Sequence, residues 1–131
     1  MSRAVVEKWY WALGIYQRNM PLLPLGRTFY TPNQVISEVQ RGTNLGRDLQ
    51  SQLEALRGVG SARLAPALLW DLAKMRIIQT FTEMPMNLYL RSLTQPVLSA
   101  EQVIKEVIAE TPTGKQLIRA EIEIVKRLWK V

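Results

Sequence analysis

Gly114–Lys115 is the dipeptide that most suggests a phosphate-gripping loop, and its surroundings refuse that reading. Such a loop needs a glycine five positions earlier, just after a strand; Ala109 stands there, at the end of an apolar helical run. Serine triads and Cys–His pairs cannot be built, because the 131 residues include neither histidine nor cysteine. The same absence removes the usual general base, the commonest metal ligand, the near-neutral pH switch and any disulfide framework. Carboxylates remain. Asp48 and Asp71 are the two aspartates, and Asp71 falls in an apolar helix where it either pairs with Lys74 or Arg76 or faces water. Glu38 and Glu106 sit at matching places in two similar segments, and symmetric packing would bring them together as an acid–base pair. The plainer expectation is that each lies on a solvated polar face. No loop has the acidic density of a calcium site. No catalytic residue, metal ligand or cofactor is therefore expected, and an enzyme is the least supported class.

Binding chemistry is better represented. Arg3, Lys8, Arg18 and Arg27 surround Trp9, Tyr10 and Trp11, a mixture of cations and stacking rings suited to nucleic acid. The formal charge of +6 favours anionic partners in general without choosing among them. The rings are also good core residues. For contacts with partner proteins the candidates are Trp9, Trp11 and Tyr16 on the first helix, Leu22, Leu23 and Leu25 after it, and Trp129 near the end.

The elements that position these residues follow from helix punctuation. Residues 31–49, TPNQVISEVQRGTNLGRDL, are matched after a shift of 68 positions by residues 99–117, SAEQVIKEVIAETPTGKQL. Identical pairs are Gln34/Gln102, Val35/Val103, Ile36/Ile104, Glu38/Glu106, Val39/Val107, Thr43/Thr111, Gly46/Gly114 and Leu49/Leu117. Each segment opens with a hydroxyl N-cap, Thr31 or Ser99, followed three residues later by a glutamine that closes a capping box. Tyr30 and Leu98 are placed to staple onto Val35 and Val103. Gly42–Thr43 and Thr111–Pro112 then interrupt each helix, and the two threonines cap a second one. Leu45, Leu49, Leu53 and Leu56 line the first continuation; Leu117, Ile118, Ile122, Val125 and Leu128 line the second.

Each unit is thus a helix–turn–helix in the geometric sense, duplicated at 31–57 and 99–129. A DNA-reading helix should present a basic face. Residues 31–58 carry Arg41, Arg47 and Arg57 against Glu38, Asp48 and Glu54, a net of zero. Residues 99–131 net only +1. Packing or partner docking is the better expectation for both.

Around these units, residues 3–19 read as a helix with Val5, Val6, Trp9, Leu13 and Tyr16 on one side. Residues 20–30 form an apolar connector bounded by Pro21 and Pro24, expected to be extended and laid over its own core or another subunit. Residues 64–84 read as a central helix buried by its neighbours, with Lys74 and Arg76 marking its more exposed side. A second proline-bounded connector covers 84–98, and its middle, 87–93, is either a short helix or an extended piece. Strand signals are weak elsewhere.

The expected fold is all-α: a single small helical domain over 1–131, with five to seven helices arranged around that central helix. The favoured function is a non-enzymatic structural or adaptor subunit of a larger assembly, such as a virus particle or a secretion-like machine, whose partners are other protein subunits or further copies of itself. A nucleic-acid-binding regulator is the alternative. A membrane-surface protein anchored by the aromatic helix is the third. With no apolar run of about eighteen residues and charges scattered through the N-terminal segment, neither a membrane span nor a signal peptide is expected. A cytoplasmic location, or one inside an assembled particle, follows.

Overall fold

The computed structural model describes residues 3–83 and 98–131. The second connector, with its 87–93 piece, lies outside the described residues apart from Leu98. The fold is all-α, with one small two-stranded sheet. No helix among the described residues is long and apolar enough to cross a membrane.

The expected helix over 3–19 is two pieces, α1 (Arg3–Ala12) and a single turn α2 (Ile15–Arg18). Gly14 adopts an extended backbone between them, at φ −69° and ψ 160°. The break is filled from the side: Arg18 donates Nε to Tyr10 O at 3.3 Å and Nη2 to Trp11 O at 3.4 Å. Those are carbonyls that amides of the next turn would have taken in a continuous helix. Val6, Trp9 and Leu13 keep the predicted stripe in the core, whereas Tyr16 is rotated out of it.

The first connector is a hairpin rather than an extended strap. Strands β1 (Leu23–Leu25) and β2 (Thr28–Tyr30) pair antiparallel, with Leu23 opposite Tyr30 and Leu25 opposite Thr28. Gly26, at φ 62°, takes the first position of the two-residue turn, which suits the right-handed twist of a tight hairpin. Pro24 is tolerated because a two-stranded sheet has only edge strands. Its carbonyl accepts from Gln52 Nε2 at 2.8 Å, so this backbone is fastened to the next helical layer.

The helix–turn–helix segments form as their punctuation predicts. Helix α3 (Pro32–Arg41) and helix α6 (Ala100–Ala109) each carry a complete capping box, from Thr31 with Gln34 and from Ser99 with Gln102. Both end in a left-handed residue, Gly42 at φ 68° and Glu110 at φ 51°. Helix α4 (Asn44–Gly58) and helix α7 (Pro112–Leu128) then start from the hydroxyls of Thr43 and Thr111, which accept the amides of Gly46 and Gly114. At each corner the second helix lies against the last turn of the first. A Cβ on Gly46 would meet Glu38 O at 2.3 Å, and one on Gly114 would meet Glu106 O at 1.9 Å.

Between these segments run a 3₁₀ turn (Gly60–Arg63) and helix α5 (Pro66–Glu83). Helix α5 packs on α6 and α7 and buries Leu69, Leu72, Ala73, Arg76 and Ile77. Asp71 and Met75 on its other side are exposed, so it is covered on one face rather than all round. The core has two lobes. One gathers Trp9, Leu22, Leu23, Leu49, Leu53, Leu72, Val125 and Trp129. The other gathers Ala73, Ile77, Val103, Val107 and Ile118, and Ile122 packs against both.

Candidate interaction surface

The structure divides the predicted partner-binding residues sharply. Trp9, Leu22, Leu23 and Trp129 are buried and unavailable to a partner. The hairpin turns the connector's leucines inward, and the two indoles are spent on backbone. Trp9 Nε1 donates to Leu128 O and Trp129 Nε1 to Leu22 O, both at 2.8 Å. Leu25 is half-buried against the same lobe. Trp11 and Tyr16 are 68% and 74% exposed. Between them lies a residue the sequence reading passed over, Ile15, which is 72% exposed. Gly14 was the available signal. Ending α1 at that point turns Ile15 and Tyr16 away from the buried stripe.

This exposed corner is braced from beneath. The Trp11 ring meets Tyr10 edge to face, with centroids 5.2 Å apart and planes at 86°. Arg18 spans both rings, its Cζ 5.0 Å from the Tyr10 centroid and 4.8 Å from that of Trp11. The Tyr10 hydroxyl donates to Asn33 Oδ1, Asn33 Nδ2 donates to Asn19 Oδ1 at 2.6 Å, and Asn19 Nδ2 donates to Ile15 O at 3.3 Å. A groove of about 550 Å³ opens beside it, lined by Ile15, Tyr16, Gln17, Asn19, Met20, Thr80 and Glu83. The corner is therefore an apolar surface whose shape is largely set before anything binds it.

Among the predicted anion contacts, Arg18 is half-buried, donates to two carbonyls and lies over two rings. Arg3 pairs with Glu7 at 3.7 Å and reaches Gln40 O, although it stays exposed. Lys8 and Arg27 are exposed. These cations do not converge on a pocket with the aromatic rings, because Trp9 is inside the core.

Chemistry by carboxylates is equally dispersed. Glu38 and Glu106 do not face each other; each accepts from the threonine that caps its own next helix, Thr43 or Thr111. Asp71 takes neither predicted partner. Lys74 instead meets Glu110 at 2.9 Å. Arg76, predicted on the exposed side, is fully buried, with Nε on Glu121 at 2.9 Å, Nη1 on Pro21 O at 2.7 Å and Nη2 on Gln17. Burial lowers its pKa and the Glu121 carboxylate opposes that shift. Sequence counting missed this site because its partners lie far along the chain on three other elements.

The hydrogen bond from Lys74 holds the Glu110 carboxyl below its ordinary range, against the opposing effect of partial burial. A carboxyl with a lowered folded-state pKa adds stability above its unfolded pKa, and that contribution is lost as pH falls through the folded value. Lys74→Met is expected to return Glu110 most of the way to the ordinary range, read by carbon-13 NMR titration of its side chain.

No family model, no curated protein and no solved structure matches this chain.

Proposed function

We propose that this protein is a non-enzymatic helical adaptor or structural subunit of a larger assembly, acting through protein–protein contacts. The braced corner of Trp11, Ile15 and Tyr16 carries the proposal. Three large apolar side chains in water, adjacent to a groove, are what a docking hot spot looks like before it is covered. Their bracing matters energetically, since a surface already in its bound shape loses less side-chain freedom on association. The occupant is an apolar helical segment of a partner protein flanked by acidic residues. Charge complementarity argues for that choice: the segment that carries the corner, residues 3–30, holds Arg3, Lys8, Arg18 and Arg27 against Glu7, and the groove itself has one acid, Glu83.

The test is selection of displayed helical peptides on the wild-type protein, followed by affinity measurement on Trp11→Ala/Tyr16→Ala. Selected peptides should be apolar with acidic flanks. They should lose about 30-fold or more in affinity for the double variant, as hot-spot truncation does. Because both side chains are exposed, the variant should unfold within about 0.5 kcal/mol of wild type. Peptides that bind both proteins equally would end the proposal. Light-scattering mass that rises with concentration and is restored to the monomer by the double variant would overturn the helical-segment occupant, since the corner would then be covered by a second copy.

A further inference from the structure

We propose that the solvent-facing flank of α7 is a ridge that binds the phosphate backbone of duplex nucleic acid. This goes beyond the docking corner and stands on different residues. At 3.6 residues per turn, Lys115, Arg119, Lys126 and Lys130 fall within an arc of about 60°, in a row about 22 Å long. Lys130 lies in the turn just past the helix.

Counting charges along the sequence conceals this row, because the acids of the same stretch appear to cancel it. In the fold they do not. Glu121 turns inward to Arg76 at 2.9 Å, with its side chain only 17% exposed. Glu110 is taken by Lys74, again from α5. On α6, Glu106 accepts from Thr111 and Glu101 pairs with Lys105. Of the acids between 110 and 131, Glu110 and Glu123 stay at the surface, each beside a lysine, Lys74 at 2.9 Å and Lys126 at 3.5 Å. Helix α5 thus supplies the cations that engage Glu121 of α7 and Glu110 at the end of α6, and α7 keeps its own cations for the outside. Arg119 is also supported from below, its Cζ 5.9 Å from the half-buried Trp70 ring.

The chemistry of the row selects among anionic partners. A helix lying on a lipid surface must sink an apolar face into it. The apolar face of α7, with Ile118 and Val125, is already in the core. An acidic protein partner would be expected to find an aromatic or apolar anchor among the charges, and the arc presents none. A line of point charges with no base-reading geometry fits a phosphate backbone, which gives position without sequence preference.

The experiment is fluorescence anisotropy with a 20-base-pair duplex of arbitrary sequence, between 50 and 200 mM salt. Four phosphate contacts give a slope of about −3.6 in log K against log salt, and so about a 10²-fold loss of affinity over that range. Arg119→Gln/Lys126→Gln should reduce the magnitude of the slope by about 2, with the helical circular dichroism unchanged. Lys8→Gln/Arg27→Gln, which removes the same charge elsewhere, should leave the slope as it is. No binding at 50 mM salt would overturn the proposal, as would equal losses from both double variants. Binding to phosphatidylserine vesicles with none to the duplex would overturn it in favour of a membrane surface.

Discussion

Gly114→Ala is expected to destabilise the protein by about 3 kcal/mol or more, read as a lower urea midpoint with an unchanged slope. The added methyl group would sit 1.9 Å from the carbonyl oxygen of Glu106 and 2.5 Å from its carbon. That neighbour is backbone in the last turn of α6 and cannot swing aside as a side chain could. The same carbonyl already accepts from the Thr111 amide at 3.2 Å, which ties the turn to the start of α7. Relief therefore requires α7 to move bodily, withdrawing Ile118 and Val125 from the two lobes of the core. Gly46→Ala should behave alike and somewhat less severely, since its closest approach to Glu38 O is 2.3 Å. Gly58→Ala is the internal control. No atom lies within 4 Å of its added Cβ, and as the last residue of α4 it should be neutral or gain a few tenths of a kcal/mol. Equal effects at all three glycines would mean that backbone entropy, rather than helix approach, governs the corner.

Arg76→Met is expected to cost about 3–5 kcal/mol, the range for breaking a buried ion pair by removing one partner. Methionine fills much of the volume but donates nothing, so Glu121, Gln17 and the Pro21 carbonyl all lose a hydrogen bond at once. Among the described residues no buried side-chain nitrogen or oxygen lacks a partner, and this substitution would create such orphans. Arg76→Met/Glu121→Leu should recover part of the loss, because the stranded carboxylate is the most costly of the three. Recovery should stay incomplete while Pro21 O remains unpaired. A double variant no better than Arg76→Met would show that the guanidinium acts mainly through Gln17 and Pro21, as a clamp on the segment before the hairpin. Urea unfolding of the three proteins separates the cases.

Local signals in the sequence were strong where the chemistry is local. A hydroxyl with glutamine three residues later states a capping box outright, and Thr31 and Ser99 both form one. The threonine caps of α4 and α7 were legible for the same reason. The hairpin was not, because Leu-Pro-Leu and Thr-Phe-Tyr are too short for alternation to show, and a proline in one argued against a strand. Arg76 was misplaced because its position on α5 reads as the polar side, while Gln17, Pro21 and Glu121, which make it a core residue, are distant in the chain. The exposed corner was half legible. Aromatic richness marked Trp11 and Tyr16, but the same richness drew Trp9 and Trp129 into the prediction although both are interior. The break at Gly14 turns Tyr16 outward, whereas Trp11 is outside because it lies on the face of α1 opposite Trp9. The ridge on α7 shows the opposite failure, since a net charge cannot record which carboxylates are turned inward.

The crossed indole bonds, Trp9 to Leu128 and Trp129 to Leu22, join groups 119 and 107 positions apart. Closing contacts over such separations carries a large chain-entropy cost before any of it is returned, which slows folding. On a ribosome, α1 and the hairpin would emerge with one indole and one carbonyl lacking their partners until residues 128 and 129 are released. The α3–α4 corner, with its caps and crossing all inside residues 31–58, has no such wait. Synthesis thus imposes an order in which the first segment made is among the last to be secured.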